Sequence, residues 1–367
     1  MFDLMLTALH DGAERTSPSM PRVRRTILLS LAAAVACGLF AVVTQAHADE
    51  YGRLTLTEEN DGLLPDGLDR HYTQGAMITY LSPTVRPEDF TTHLFDGLSG
   101  VLPFFQPGAG VQRKFDVVVG QTIFTPTRYH DPVPDPRDRP FAGYLFTGGS
   151  LLQDTNGTML ENFEVLAGVV GPDSLAKEAQ ESFHSIAGFN NKNLDLGYRY
   201  QLRNEPGFMV TYERKWRIWQ TRFAGVEAEV IPEAGLTAGN VMTYVSAGAT
   251  FRIGQNLNVD YGIARIRPAL SGTAWFDASR LEQDFGWYLF AGVEGRAVVH
   301  NIFLDGNSFT NSRSVEKNIG VGDVSAGGSV FYRDWVKLDA SFTERSKEFK
   351  TQAQADHFGQ VNLTFRF

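Results

Sequence analysis

From Tyr51 onward the sequence repeats one idiom, a segment of roughly ten residues in which apolar and polar side chains alternate, followed by a turn or polar loop. Alternation with a period of two places one set of side chains on each face of an extended strand. The segments are Leu54–Glu58, Ala76–Tyr80, Phe115–Gln121, Phe141–Leu152, Met159–Val169 and Phe208–Trp216. They continue with Phe223–Ile231, Val241–Ile253, Trp287–Val298, Val324–Tyr332, Val336–Phe342 and Phe358–Phe367. Each is near the length that a tilted strand needs to cross a bilayer. In hydrocarbon a sheet must close on itself to satisfy its edges, so about twelve such strands predict an antiparallel transmembrane β-barrel. The other half of the alternation is polar or small, as in Thr211, Glu213 and Lys215, which suits an inner face. At 367 residues the chain can form one large barrel. Hydrophobic residues make up only 43%, which excludes a bundle of membrane helices.

The two ends agree with this reading. Arg22, Arg24 and Arg25 precede an apolar run from Ile27 to Val43, which closes on Ala46-His47-Ala48. A basic flank, an apolar core and an A-x-A end predict a secretory signal peptide with its leader over 1–48, leaving 49–367 as a single barrel domain. The single cysteine, Cys37, falls inside that signal, so the mature chain has no thiol for disulfides, catalysis or zinc. Cleavage after Ala48 leaves 29 Lys and Arg against 39 Asp and Glu, an acidic balance that argues against nucleic acid. At the other end Val361, Leu363, Phe365 and Phe367 share one strand face. A closing strand of this form resembles the signal by which bacterial outer-membrane barrels are recognised for assembly.

Three loops are long: Arg86–Gln112, Arg128–Pro140 and Pro172–Asn193. Long loops at one end and short turns at the other are expected of a barrel whose outward end does the work. Within the third, Pro172, Asp173 and Ser174 are good chemistry for opening a helix, which interrupts a chain otherwise made of strands. Gln180 and His184, four apart, project from one face of that helix, and an imidazole held on a rigid element is a candidate general base. A single histidine on a helix is also an ordinary surface or core residue. Asn60-Asp61-Gly62 ends the first strand and Thr73 lies in the second, so Asn60, Asp61 and Thr73 meet across one hairpin at a barrel rim. Their oxygens suit a hard cation such as calcium, although Asn-Asp-Gly is equally a common turn string.

Taken together, these strings resemble the outer-membrane lipid A 3′-O-deacylases. The resemblance rests on Glu59-Asn-Asp-Gly62, Asp69-Arg-His-Tyr-Thr-Gln-Gly75, Asp138-Arg-Pro-Phe-Ala-Gly-Tyr144, and Gly171-Pro-Asp-Ser with Gln180 and His184. It continues through Gln201-Leu-Arg-Asn-Glu-Pro206, Leu304-Asp-Gly-Asn-Ser-Phe309, Ser314-Val-Glu-Lys317 and Lys347-Glu-Phe-Lys350. It implies a twelve-stranded barrel whose active site lies between the wall and a helix from an extracellular loop. It further implies calcium-dependent hydrolysis of the 3′-acyloxyacyl ester of lipid A, a lipopolysaccharide substrate held among outer-membrane lipids, by a monomer. By position, His184 becomes the base that activates water, with Gln180 beside it. Asn60, Asp61 and Thr73 become the metal and oxyanion side, Asp61 and Thr73 being the metal ligands. The family often has Asn where this chain has Gln74. Its substrate-holding Lys has no clear counterpart, Arg128 being the nearest candidate. Two other readings remain open: a covalent esterase using Thr73 or Ser185 with His184 as its base, and a passive pore or scaffold. Neither hydroxyl lies in a Gly-x-Ser-x-Gly elbow.

Overall fold

The computed structural model describes residues 51–63, 70–187, 194–266 and 273–367, so the signal segment expected over 1–48 lies outside it. The strands are β1 (Arg53–Asn60), β2 (His71–Leu81), β3 (Val111–Thr125), β4 (Ala142–Thr155), β5 (Met159–Val170) and β6, in two pieces (Glu205–Trp216 and Trp219–Phe223). They continue with β7 (Val226–Gly239), β8 (Met242–Gln255), β9 (Phe285–Asn301), β10 (Gly320–Tyr332), β11 (Val336–Arg345) and β12 (Asp356–Arg366). Both pieces of β6 pair with β7, with the register stepping by one residue between Lys215↔Glu233 and Trp219↔Val230. Thirteen extended segments therefore make twelve strands. Every strand pairs antiparallel with its sequence neighbours, and β1 closes on β12 from Arg53↔Arg366 to Asn60↔Gly359. The twelve expected strands are all present. The one expected from Phe223 begins instead at Val226, because Ala224 and Gly225 both take positive φ, 49° and 80°, and turn the chain in a two-residue hairpin.

Burial along the strands is inverted relative to a water-soluble sandwich. Leu56, Ile78, Val119, Leu236, Val245, Val293, Val324 and Phe342 are exposed on the outer face, while Thr55, Glu59, Glu213, Arg252, Arg296, Asp323 and Asn362 are buried within the lumen. An apolar exterior around a polar interior is what a hydrocarbon solvent demands of a closed sheet. Trp219, Phe223, Phe285, Tyr332 and Trp335 are exposed near the end that carries Tyr51 and Phe367, a girdle of aromatics at one membrane interface. Among the described residues no helix is long and apolar enough to cross a membrane.

The lumen is filled rather than open. After β8 the chain enters the barrel: Leu257, Val259, Tyr261 and Ile263, then Trp275 and Phe276, are almost wholly buried against Leu152, Tyr288 and Phe331. The Ala264 carbonyl accepts hydrogen bonds from the amides of Asn362, at 2.9 Å, and Gln360. Around this segment buried charges are paired: Asp323 with Arg296 at 3.0 Å and Arg345 at 2.9 Å, Lys337 with Asp260 at 2.7 Å, and Lys215 with Glu233 at 2.9 Å.

The loop expectation needs correction. The segment 82–110, with α1 (Phe90–Val101), and the lumen-filling segment between β8 and β9 both leave from the end that carries Tyr51 and Phe367. Of the expected long loops only those that follow β3 and β5 leave from the opposite rim, because strand parity decides the end from which each loop departs. The paired lumen charges have a measurable consequence. Asp323→Ala removes the carboxylate shared by two buried guanidinium groups, leaving Arg296 only Glu294 and Arg345 only the more distant Glu348, and is expected to cost about 3 kcal/mol, read as a lower urea midpoint of the barrel in lipid vesicles. Replacing Arg333, whose pair with Asp284 is exposed, is expected to leave that midpoint unchanged.

Candidate functional site

The rim hairpin is built from its own turn chemistry. The Asn60 side-chain oxygen accepts the Gly62 N–H at 2.6 Å, and Asp61 Oδ2 accepts the Arg70 N–H at 2.6 Å, closing the connection from β1 to β2. Asn60 lies opposite Gln74 in the ladder, and both amides donate to Glu58 Oε1, at 3.5 and 2.9 Å. Against β3 the register slips between Tyr72 and Gln74, so Thr73 is the extra residue of a bulge. Bulges re-aim a side chain; here the Thr73 hydroxyl shares a 2.6 Å hydrogen bond with that of Thr125. From the lumen side Glu59 anchors the same hairpin. Its carboxylate accepts the Tyr72 hydroxyl at 2.7 Å and the Ile266 N–H, from the lumen-filling segment, at 3.0 Å.

The helix arises where β5 ends. Gly171 has φ 100°, and a Cβ there would lie 2.6 Å from the Arg203 carbonyl carbon, so only glycine makes this corner. Pro172–Ser174 forms a single 3-10 turn rather than the start of the helix, and Leu175, at φ 60°, separates it from α2 (Ala176–Ala187). Ala176, Gln180 and His184 are buried, while Glu178, Ser182 and Ser185 are exposed, so one stripe of α2 faces the barrel. The Gln180 amide oxygen accepts the Tyr198 hydroxyl at 2.8 Å from α3 (Leu194–Tyr198). The base of α2 sits directly on Gly143 of β4, where a Cβ would collide with Ala176 and Ser174.

A third wall comes from 127–131. His71, the first residue of β2, has Nδ1 2.7 Å from Asp356 Oδ1 and Nε2 3.0 Å from Thr127 Oγ1 and 3.5 Å from Asp138 Oδ1. Asp138 in turn accepts the Thr127 N–H at 2.8 Å. Burial pushes the Asp138 carboxyl up, but the His71 hydrogen bond and charge, with the Thr127 N–H, hold it below the usual carboxylate range.

These walls enclose a cavity of about 430 Å³. Asn60, Asp61 and Thr73 line it from the hairpin, Gln180 and His184 from α2, and Arg128 from the loop, so all six candidate residues meet at one place. Arg128 is exposed, whereas the other five are at most 5% accessible. Tyr129 packs edge-on to His184 with ring centroids 5.9 Å apart. Sequence reasoning missed Tyr129, His130, Asp131 and Phe183 as lining residues, and His71 as the tie between two walls. His71 lies within Asp69-Arg-His-Tyr-Thr-Gln-Gly75, where nothing local signals partners so far along the chain. Ser185 faces away, donating to the Glu181 carbonyl at 2.7 Å. Among the described residues no group of three or more His, Cys, Asp and Glu side chains gathers for a metal. The hairpin wall instead offers one carboxylate, one amide oxygen and one hydroxyl, a hard donor set that fits a weakly held calcium ion.

A family model described as outer membrane protein LpxR matches residues 28–367 of the chain. No curated protein sequence matches it. Among solved structures, LpxR from Salmonella typhimurium overlays with a TM-score of 0.66 at 23% identity, covering 86% of this chain and 100% of that one. The β domain of the Bordetella autotransporter BrkA overlays at 0.41 with 8% identity, covering 87% and 99%. The packing of α2 on Gly143 supplies a test. Gly143→Ala is expected to displace the helix and with it His184, lowering any activity of the cavity by about 10²-fold while the folded barrel still resists SDS at room temperature.

Proposed function

Because the chain belongs to the outer membrane protein LpxR family, we propose that it is an outer-membrane lipid A deacylase hydrolysing the 3′-linked acyloxyacyl ester in the outer leaflet. The observation that carries this reading is the cavity in which buried His184 and Gln180 on a loop helix face the oxygen-bearing hairpin of Asn60, Asp61 and Thr73. Its place at a barrel rim suits a substrate whose acyl chains remain in the membrane while the ester reaches the interface.

In the proposed reaction His184 takes a proton from a water molecule, and the water oxygen adds to the ester carbonyl carbon. The imidazolium then returns that proton to the departing sugar 3′ oxygen, so that ester and water become a free fatty acid and a 3′ hydroxyl. Tyr129 and the barrel wall restrict the imidazole, and Gln180, held by Tyr198, keeps the polar face of α2 directed into the cavity. A calcium ion held by Asp61 and Thr73, with the Asn60 amide nearby, would supply positive charge for the carbonyl oxygen. Arg128, exposed at the lip of the cavity, would meet a lipid A phosphate. A covalent route gains no support, since the Ser185 hydroxyl bonds its own helix and that of Thr73 bonds Thr125. A passive pore fits poorly with a lumen packed by Tyr261, Trp275 and paired charges.

Lipid A from cells with and without the protein, compared by mass spectrometry, tests the activity. Loss of the 3′ acyloxyacyl mass is expected when calcium is supplied, and an unchanged acyl pattern contradicts the reading. His184→Ala is expected to lower ester cleavage by about 10²–10⁴-fold with unchanged barrel assembly. Chelation is expected to abolish activity and calcium at about 0.1–1 mM to restore it. Asp61→Ala is expected to raise the calcium needed.

A further inference from the structure

A second cavity, of about 220 Å³, opens at the end of the barrel opposite this rim, where the closing seam of β1 and β12 meets β3 and the lumen-filling segment. In a chain of net charge −9, its lining holds three cations, Arg53, Lys114 and Arg366, against one carboxylate, Asp334. Arg53 and Arg366 are direct cross-strand partners, and like charges so placed destabilise a sheet unless an anion lies between them.

Arg53 is the informative residue. It is 5% exposed, with its guanidinium stacked 3.7 Å over the Phe276 ring. Nη1 donates to the Asp334 backbone carbonyl at 2.8 Å, while Nη2, inaccessible to solvent, makes no hydrogen bond. Deeper in the lumen Arg252, Arg296 and Arg345 each hydrogen-bond a carboxylate. Among the described residues Arg53 has no such partner, and the Asp334 carboxylate lies 3.4 Å from Arg366 instead. A buried cationic donor without an acceptor is costly, so a site of this composition favours an incoming oxyanion. A guanidinium fork, a second guanidinium and an ammonium on one small cavity match the several oxygens of a phosphate group.

We propose that this cavity binds a phosphate-bearing anion through Arg53, Lys114 and Arg366, independently of the chemistry at the opposite rim. The phosphate can be free in solution or belong to the headgroup of a phospholipid in the adjoining leaflet.

The mature barrel, purified in maltoside detergent and phosphate-free buffer, is titrated with inorganic phosphate by calorimetry. In parallel, native mass spectrometry counts phosphatidylglycerol and phosphatidylcholine retained from mixed vesicles. Saturable phosphate binding identifies a soluble ligand, and selective retention of phosphatidylglycerol alone identifies a headgroup. In either case Arg53→Gln and Arg366→Gln are each expected to weaken binding by about tenfold or more, with ester cleavage unchanged. Arg366 is partly exposed at the barrel end, so its variant decides the matter should Arg53→Gln not fold. Absence of both kinds of binding, or binding that Arg366→Gln leaves intact, overturns the proposal.

Discussion

A strand in hydrocarbon has no water with which to satisfy its backbone, so the sheet has to return to its own first strand. Here β12 pairs with β1 along all eight residues from Arg53 to Asn60. That seam does more than remove an edge. It places Asp356 beside His71, and so fixes the start of β2 from which the cavity's hairpin wall is built. Asn60 and His184 are far apart in sequence, and the hairpin-paired run of strands from β1 to β5 puts them on one cavity.

Closure alone leaves a polar lumen that must be filled or flooded. In this chain it is filled, by an apolar segment carrying Tyr261, Trp275 and Phe276 and by charges that neutralise one another. The segment reaches the far rim, where the Ile266 N–H and the Tyr72 hydroxyl hold the Glu59 carboxylate from two directions. Glu59 immediately precedes Asn60 and Asp61. The interior of the barrel thus braces the hairpin from below while His71 ties it to the 127–131 wall from above. The strand-borne wall of the site, held by buried hydrogen bonds, is stiffer than a loop, as the proposed reaction requires.

Much of this was legible from alternation, because a period of two survives wherever one face meets lipid. The twelve strands and the shared face of Gln180 and His184 follow from spacing alone. What escaped is non-local or strained. Nothing in Asn256–Ile266 distinguishes a segment that enters the lumen from an ordinary loop, since burial there is supplied by strands before and after it. Pro172, Asp173 and Ser174 carry helix-opening chemistry yet form a separate turn, because Leu175 adopts a left-handed conformation that no local pattern announces. The bulge that isolates Thr73 depends on pairing with β3, and the end from which each loop departs depends on counting strands correctly.

The site exists only if the rim hairpin and α2 face each other across one cavity in the membrane-embedded protein. Cys37 is the single cysteine, so residues 49–367 give a thiol-free background for pairing Gln74→Cys with Phe183→Cys, both of which line that cavity. A short bifunctional thiol reagent added to the barrel in vesicles is expected to join the two within one chain and to block ester cleavage. Labelling of each cysteine singly, with no intramolecular bridge in the double variant, would contradict the arrangement on which the site depends.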